Sequence, residues 1–121
     1  MVIAKNKNHS LDMRNVDFLQ IRRAIANAVD EDLGLIYLDL LYCRSDAETE
    51  QNLKTKDEIV EMKHLNDKYK DVVEFLYMPD MDGKISSDTC RKVYDLLDDA
   101  KYPEFKGLVK ECVDNNMSLE W

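Results

Sequence analysis

The stretch with the clearest potential for binding chemistry is an acidic loop, Asp80-Met-Asp82-Gly83-Lys-Ile85. Alternate acidic oxygens, a glycine at a sharp turn and a following apolar residue are features of the calcium-binding EF-hand loop. If Gly83 takes the sixth loop position, Asp80 and Asp82 take the third and the fifth. One interpretation of this loop is therefore a weak calcium site with Asp80 and Asp82 as its ligands.

The same alignment leaves both end positions of the loop without ligands. The first position falls on Met78, and the twelfth falls on Thr89, where an EF-hand carries the bidentate carboxylate that closes the site. The favoured interpretation is a turn stabilised by aspartate side chains, in which Gly83 supplies a positive φ. On that interpretation the loop binds no ion and only directs the helix that follows.

The other residues capable of metal or nucleophilic chemistry are not spaced for it. No two of the histidines and cysteines lie at the spacing of zinc ligands; these residues are His9, His64, Cys43, Cys90 and Cys112. Each cysteine lies within an apolar pattern, which is typical of buried reduced thiols in a cytosolic protein. Three glycines are too few for a phosphate-binding loop. The sequence therefore nominates no catalytic residue and no cofactor besides calcium, and we expect a protein that is not an enzyme.

Charge is the second feature that bears on function. The chain has 25 Asp and Glu against 17 Lys and Arg, a formal net charge of −8, and the acidic excess lies in residues 30–121. An acidic body repels nucleic-acid phosphates and anionic lipid, and it favours a basic protein partner. No apolar run approaches the ~20 residues of a membrane span, and the first residues do not fit a signal peptide. We therefore expect a cytoplasmic protein that binds neither nucleic acid nor membrane.

The predicted partner-binding residues are Asp95, Asp98 and Asp99. Acidic residues at the end of a helix oppose its dipole, so Asp98 and Asp99 have no structural explanation in the sequence. Together with Asp80 and Asp82 they form a predicted acidic face.

The elements that must position these residues are predicted to be helices, because glycine and proline are scarce. Apolar stripes at helical period predict a first helix that Asp17 caps and Gly34 ends, with Arg22 and Arg23 away from its stripe, and a long helix over residues 57–77. Two further helices begin near Ser86 and at Pro103. Residues 35–43 are apolar except for Asp39, and their leucine content favours helix over strand.

The predicted fold is thus all-α, a compact bundle of four to five helices in a single domain over residues 1–121. A polar N-terminal arm occupies residues 1–15, and an exposed loop occupies residues 44–54. A minor strand pair from Leu11–Met13 and Ser118–Trp121 is the one departure from helix.

Two stretches carry a resemblance to known proteins: Asp17-Phe18…Arg22-Arg23-Ala-Ile-Ala, and Phe75-Leu-Tyr-Met-Pro-Asp80-Met-Asp82-Gly83-Lys-Ile-Ser…Cys90. They resemble a loose group of small bacterial and phage proteins of no known activity, in which a Ser-Asp-Cys-Asp-Gly loop precedes a Cys-bearing helix. This chain has Pro79 and Met81 where the group tends to have Ser and Cys. The resemblance implies a bacterial or phage origin. The charge asymmetry, combined with the absence of a catalytic constellation, favours a protein-interaction module, accessory or immunity-like, and the calcium-binding protein is the alternative.

Overall fold

The computed structural model describes residues 1–121, except for the side chain of Leu41. Within this description the chain is mostly helical, with a small antiparallel sheet. The helices are α1 (Asn15–Val29), α2 (Glu31–Asp39), α3 (Asp46–Met62), α4 (Asn66–Leu76), α5 (Ser87–Leu96) and α6 (Pro103–Asp114), and a 3-10 turn, Leu40–Tyr42, follows α2. The strands are β1 (Val2–Lys5), β2 (Ser10–Met13), β3 (Lys84–Ile85) and β4 (Leu119–Glu120), in the sheet order β2-β1-β4-β3. The broadly helical class is confirmed, but the helices outnumber the four to five predicted.

The predicted polar arm at residues 1–15 is wrong, because β1 and β2 form a hairpin there. Val2 and Ala4 are buried while Ile3 and Lys5 are exposed, so β1 has a buried apolar face at the strand period of two. The predicted strand pair is also wrong in its pairing. β2 and β4 belong to one sheet, but β1 lies between them and pairs with both.

The predicted loop at residues 44–54 and the single long helix at 57–77 are both wrong. α3 begins at Asp46, where Ser45 caps it by accepting a hydrogen bond from the Glu48 amide at 3.2 Å. This helix was missed because most of its surface is exposed, so it lacks an apolar stripe. It ends before His64, which adopts a left-handed conformation with φ of 54°. Such a helix end usually has glycine or asparagine, and a histidine there gives no sequence signal.

The boundary between α1 and α2 also differs from the prediction. Asp17 is not the cap but the third helical residue, where its carboxylate accepts hydrogen bonds from the Arg14 backbone amide and guanidinium. Gly34 does not end α1 but lies inside α2, and a Cβ there would approach the Asn27 Cα of α1 to 2.7 Å. Gly34 therefore permits two helices to pack closely. Residues 35–39 are helical, as predicted.

The core is centred on aromatic side chains contributed by distant parts of the chain. The Phe18 ring of α1 contacts the rings of Phe75, Phe105 and Trp121 at centroid distances of 5.6 to 6.5 Å. The C-terminal residues Leu119 and Trp121 are buried, as predicted. The predicted starts of α5 after Ser86 and of α6 at Pro103 are confirmed.

Candidate functional site

The acidic loop after α4 is organised around the side chain of Arg22, which is only 2 % exposed. Its guanidinium donates hydrogen bonds to acceptors on the segment that ends α4 and enters the loop. Nη1 donates to the carbonyl oxygens of Phe75, Leu76 and Met78, and Nη2 donates to the Pro79 carbonyl at 3.3 Å and to Asp80 Oδ1 at 3.1 Å.

The Arg22 guanidinium meets the needs of the C-terminal end of α4. The last carbonyls of α4 lack intrahelical partners, and a guanidinium offers several N–H donors in a fixed plane together with a positive charge that suits the helix dipole. The Phe18 ring covers the guanidinium at 4.1 Å from its centroid, which adds a cation–π contact. Burial lowers the pKa of Arg22, while Tyr37 and Asp80 act to raise it.

Trp121 holds the other side of the same loop. Its backbone exchanges hydrogen bonds with Gly83 at 3.0 and 3.1 Å, and its indole Nε1 donates to the Pro79 carbonyl at 2.9 Å. A Cβ at Gly83 would lie 2.0 Å from the indole ring, so the glycine is required for space. The prediction that Gly83 supplies a positive φ is wrong, because Asp82 has the left-handed conformation, with φ of 58°.

The two predicted calcium ligands, Asp80 and Asp82, differ in their surroundings. The Asp80 carboxylate is already paired with Arg22, and the Asp82 side chain is exposed. Among the described residues, no group of three or more His, Cys, Asp or Glu side chains is arranged to hold a metal ion. The calcium site therefore stays a prediction that rests on the sequence pattern.

A half-buried hydrogen-bond cluster joins α4 to α5. Asp71 Oδ1 accepts from Lys92 Nζ, and Asp71 Oδ2 accepts from Thr89 Oγ1, both at 2.9 Å. Burial acts to raise the pKa of Asp71, but the bonds from Lys92 and Thr89 outweigh it and hold the pKa below its ordinary value. The charged carboxylate is therefore the form that fastens the two helices.

The cysteines are placed where thiols are unreactive. Cys90 and Cys112 are buried, and burial raises the pKa of Cys90 to about 12 and also raises the pKa of Cys112. A nucleophilic cysteine needs its thiolate form, which these two thiols do not reach near neutral pH. Cys43 is half-buried, and its thiol donates to the Asp39 carbonyl.

The predicted partner-binding residues lie at the far end of α5 from the acidic loop. All three are exposed, and Asp98 and Asp99 lie just after the C-terminal end of the helix and not within it. Asp98 Oδ1 accepts from the Ala100 amide, and Asp99 pairs with Lys106 at 2.7 Å. The 10 residues of α5 span about 15 Å, so the predicted acidic face divides into two separate ends.

Arg22 is the main site residue that sequence reasoning missed. It lies four residues after Phe18 and three before Ile25, which places it on the apolar stripe by spacing, although its charge suggested a solvent-facing residue. A charged residue at a stripe position was therefore the available signal for this contact.

Comparisons with known proteins leave the family open. A scan of the chain against models of protein families gives no match, and searches of curated proteins and of solved structures give none either. None of the helices in the described residues is long and apolar enough to cross a membrane.

Proposed function

We propose that this protein is a non-enzymatic interaction module, an accessory or immunity-like protein of bacterial or phage origin, whose acidic surface engages a basic protein partner in the cytoplasm. The observation that carries the proposal is the net charge of −8, with exposed acids at the end of α5. Complementary charge accelerates the encounter of two proteins and disfavours wrong partners.

Two further observations support the proposal. Asp95 is exposed and has no ion-pair partner among the described residues, so its charge is available to a partner. The cysteines are free thiols, which suits the reducing environment of the cytoplasm.

The experiment that tests the proposal is affinity capture from a lysate of the native host, washed first at low and then at high salt. The test variant carries Asp98→Lys and Asp99→Lys. A matched control carries Glu58→Lys and Glu61→Lys on the exposed side of α3, which changes the net charge by the same amount elsewhere.

We expect a stoichiometric basic protein that the wild type and the α3 control retain at low salt and lose at high salt, and that the α5 variant does not retain. Capture that is indifferent to salt and to the α5 substitutions would contradict the proposal. Equal loss in both variants would show that total charge, and not the end of α5, governs binding.

A further inference from the structure

The sheet has a free edge at β2, the first strand in the order β2-β1-β4-β3. The hairpin closes with a hydrogen bond from the Asn6 amide to the His9 carbonyl at 2.9 Å. The Asn6–His9 pair is therefore hydrogen-bonded. Because bonded and non-bonded pairs alternate along an antiparallel ladder, the two residues of the Lys5–Ser10 pair and of the Ile3–Asp12 pair are not bonded to each other. The backbone N–H and C=O groups of Ser10 and Asp12 point away from β1, and no described backbone hydrogen bond to another element uses them.

A groove runs along this edge between β2 and α6. It consists of two concavities of about 370 and 320 Å³, which share Leu11 and Glu104 in their walls. β2 forms one wall. The other wall consists of residues 101–104 and the side of α6 that carries Gly107 and Glu111. We call this feature the β2–α6 groove. Leu11, Tyr102 and Pro103 supply its accessible apolar lining, above the buried side chains of Met13, Ile21 and Phe105.

The charges that line the groove are mainly negative. Four acids lie there against one lysine and one histidine: Asp12, Asp17, Glu104 and Glu111 against Lys101 and His9. Asp17 pairs with Arg14, and Glu111 pairs with His9. Asp12 and Glu104 make no ion pair within the described part of the chain. Their two charges are therefore available to cations of a partner.

A glycine in the wall of the groove gives an independent indication. Gly107 lies in the interior of α6, where glycine is less favourable than alanine. A Cβ built at Gly107 would meet no atom within 4 Å, so packing inside the molecule does not require the glycine. The absence of a side chain leaves room for another backbone to approach the groove.

We propose that the β2–α6 groove binds an extended segment of the basic partner, which pairs with β2 as an added strand. The segment would bond to the free backbone groups of Ser10 and Asp12, place apolar side chains on the groove lining, and set Lys or Arg side chains against Asp12 and Glu104. Alternation of apolar and basic residues follows from the strand period of two. A second copy of this chain is a poorer occupant, because its own acidic charge would be repelled.

This inference rests on the proposed function, since it assigns a site and a conformation to the basic partner. The test uses a display library of random dodecapeptides, selected on the immobilised full-length protein with uncoated beads as the background. Enriched peptides are then measured by fluorescence anisotropy against the wild type and four variants.

The variants address the edge and the groove separately. Ser10→Pro removes one outward N–H without changing the charge, and Ser10→Ala is its control, which keeps that N–H. Gly107→Leu places a side chain in the groove, and Gly107→Ala is its control, expected to fold at least as well as the wild type. Circular dichroism and thermal melting verify that each variant is folded.

We expect enriched peptides with alternating apolar and basic residues, which bind Ser10→Pro and Gly107→Leu at least tenfold more weakly than the wild type. The Ser10→Ala and Gly107→Ala proteins should bind them within about twofold of the wild type. Protection of the Ser10 and Asp12 amides from hydrogen exchange in the complex would place the peptide on the edge.

Two outcomes would overturn the inference. One is the absence of any enriched sequence pattern, or binders that are indifferent to both Ser10→Pro and Gly107→Leu. The other is a concentration-dependent dimer in sedimentation that Ser10→Pro abolishes, which would assign the edge to a second copy. Salt-sensitive capture by the wild type together with either outcome would leave the proposed function standing without this site, so the two failures are distinguishable.

Discussion

Replacing Arg22 by methionine is the most direct test of how the acidic loop is held. Methionine retains an apolar stem of similar length but removes the guanidinium, which leaves the carbonyls at the end of α4 and the Asp80 carboxylate without that donor. Leaving a buried acceptor without its donor costs about 1–3 kcal/mol, and several carbonyls share this guanidinium. The Asp80 carboxylate adds little, because its side chain is 44 % exposed and water can solvate it. We expect the free energy of unfolding to fall by about 4 kcal/mol. The fall is smaller than the sum of the lost contacts, because burying the guanidinium is itself costly.

For a chain of this size we take about 3–4 °C of melting temperature per kcal/mol, which lies between the values for smaller and larger domains. The expected decrease is therefore about 12–16 °C. The assay is urea unfolding followed by circular dichroism and by the fluorescence of Trp121, the only tryptophan, whose ring lies 5.8 Å from the guanidinium. Agreement of the two signals would support two-state unfolding.

The neighbouring Arg23→Met is the matched control, because Arg23 is half-buried and makes no ion pair among the described residues. It should change stability by less than about 0.5 kcal/mol. Arg22→Lys should fall between wild type and Arg22→Met, since an ammonium keeps the charge but lacks the planar fork of donors. A loss below about 1 kcal/mol for Arg22→Met, or an equal loss for Arg23→Met, would refute the reasoning.

Four further predictions concern the acidic loop, the buried cysteines and the contact between α4 and α5. Gly83→Ala should lower stability by about 3 kcal/mol in urea unfolding, because its Cβ would overlap the indole ring; an unchanged midpoint would contradict this. A maleimide should label Cys90 and Cys112 only after denaturation, as read by mass spectrometry, and labelling of the native protein would refute their burial. The Asp71 carboxylate has a lowered pKa, so its stabilisation should be complete above the ordinary pKa of 3.8 and disappear as pH falls through the lower folded value. A stability advantage of the wild type over Asp71→Asn that stays constant as pH falls below 3.8 would contradict this. Millimolar calcium should leave the melting temperature unchanged, because the guanidinium already neutralises Asp80, and a rise would revive the calcium site.

The parts of the fold that the sequence predicted are those whose signals are local. Ser86 caps α5 and Pro103 begins α6, because capping and proline geometry depend only on neighbouring residues. Strands were predicted at the positions of β2 and β4, but β1 and β3 were missed, because four and two residues are too few for a strand pattern to stand out. The pairing of β1 with β4 joins the two ends of the chain. Local patterns do not report such long-range pairing.

The sequence pattern drew out the acidic loop but not the contacts that hold it. The loop at Asp80 is indeed a structural centre, yet its partners, Arg22 and Trp121, lie 58 residues before it and at the C-terminus. The sequence pattern showed carboxylates on a loop, and it could not show that a buried cation already neutralises one of them. The unpaired acids of the groove, Asp12 and Glu104, could not be predicted from the sequence because no local motif contains them.

The three glycines of the chain differ in whether packing within the molecule requires them. A Cβ at Gly34 would strike α1, and a Cβ at Gly83 would strike the indole ring, so both glycines are explained by contacts within the molecule. Gly107 has no such neighbour, and its α6 would be more stable with alanine. Because proteins retain locally unfavourable residues mainly where function requires them, Gly107 directs attention to the β2–α6 groove rather than to the acidic loop. The loop's chemistry is satisfied inside the chain, whereas the groove offers a free strand edge and two unpaired acids to another molecule.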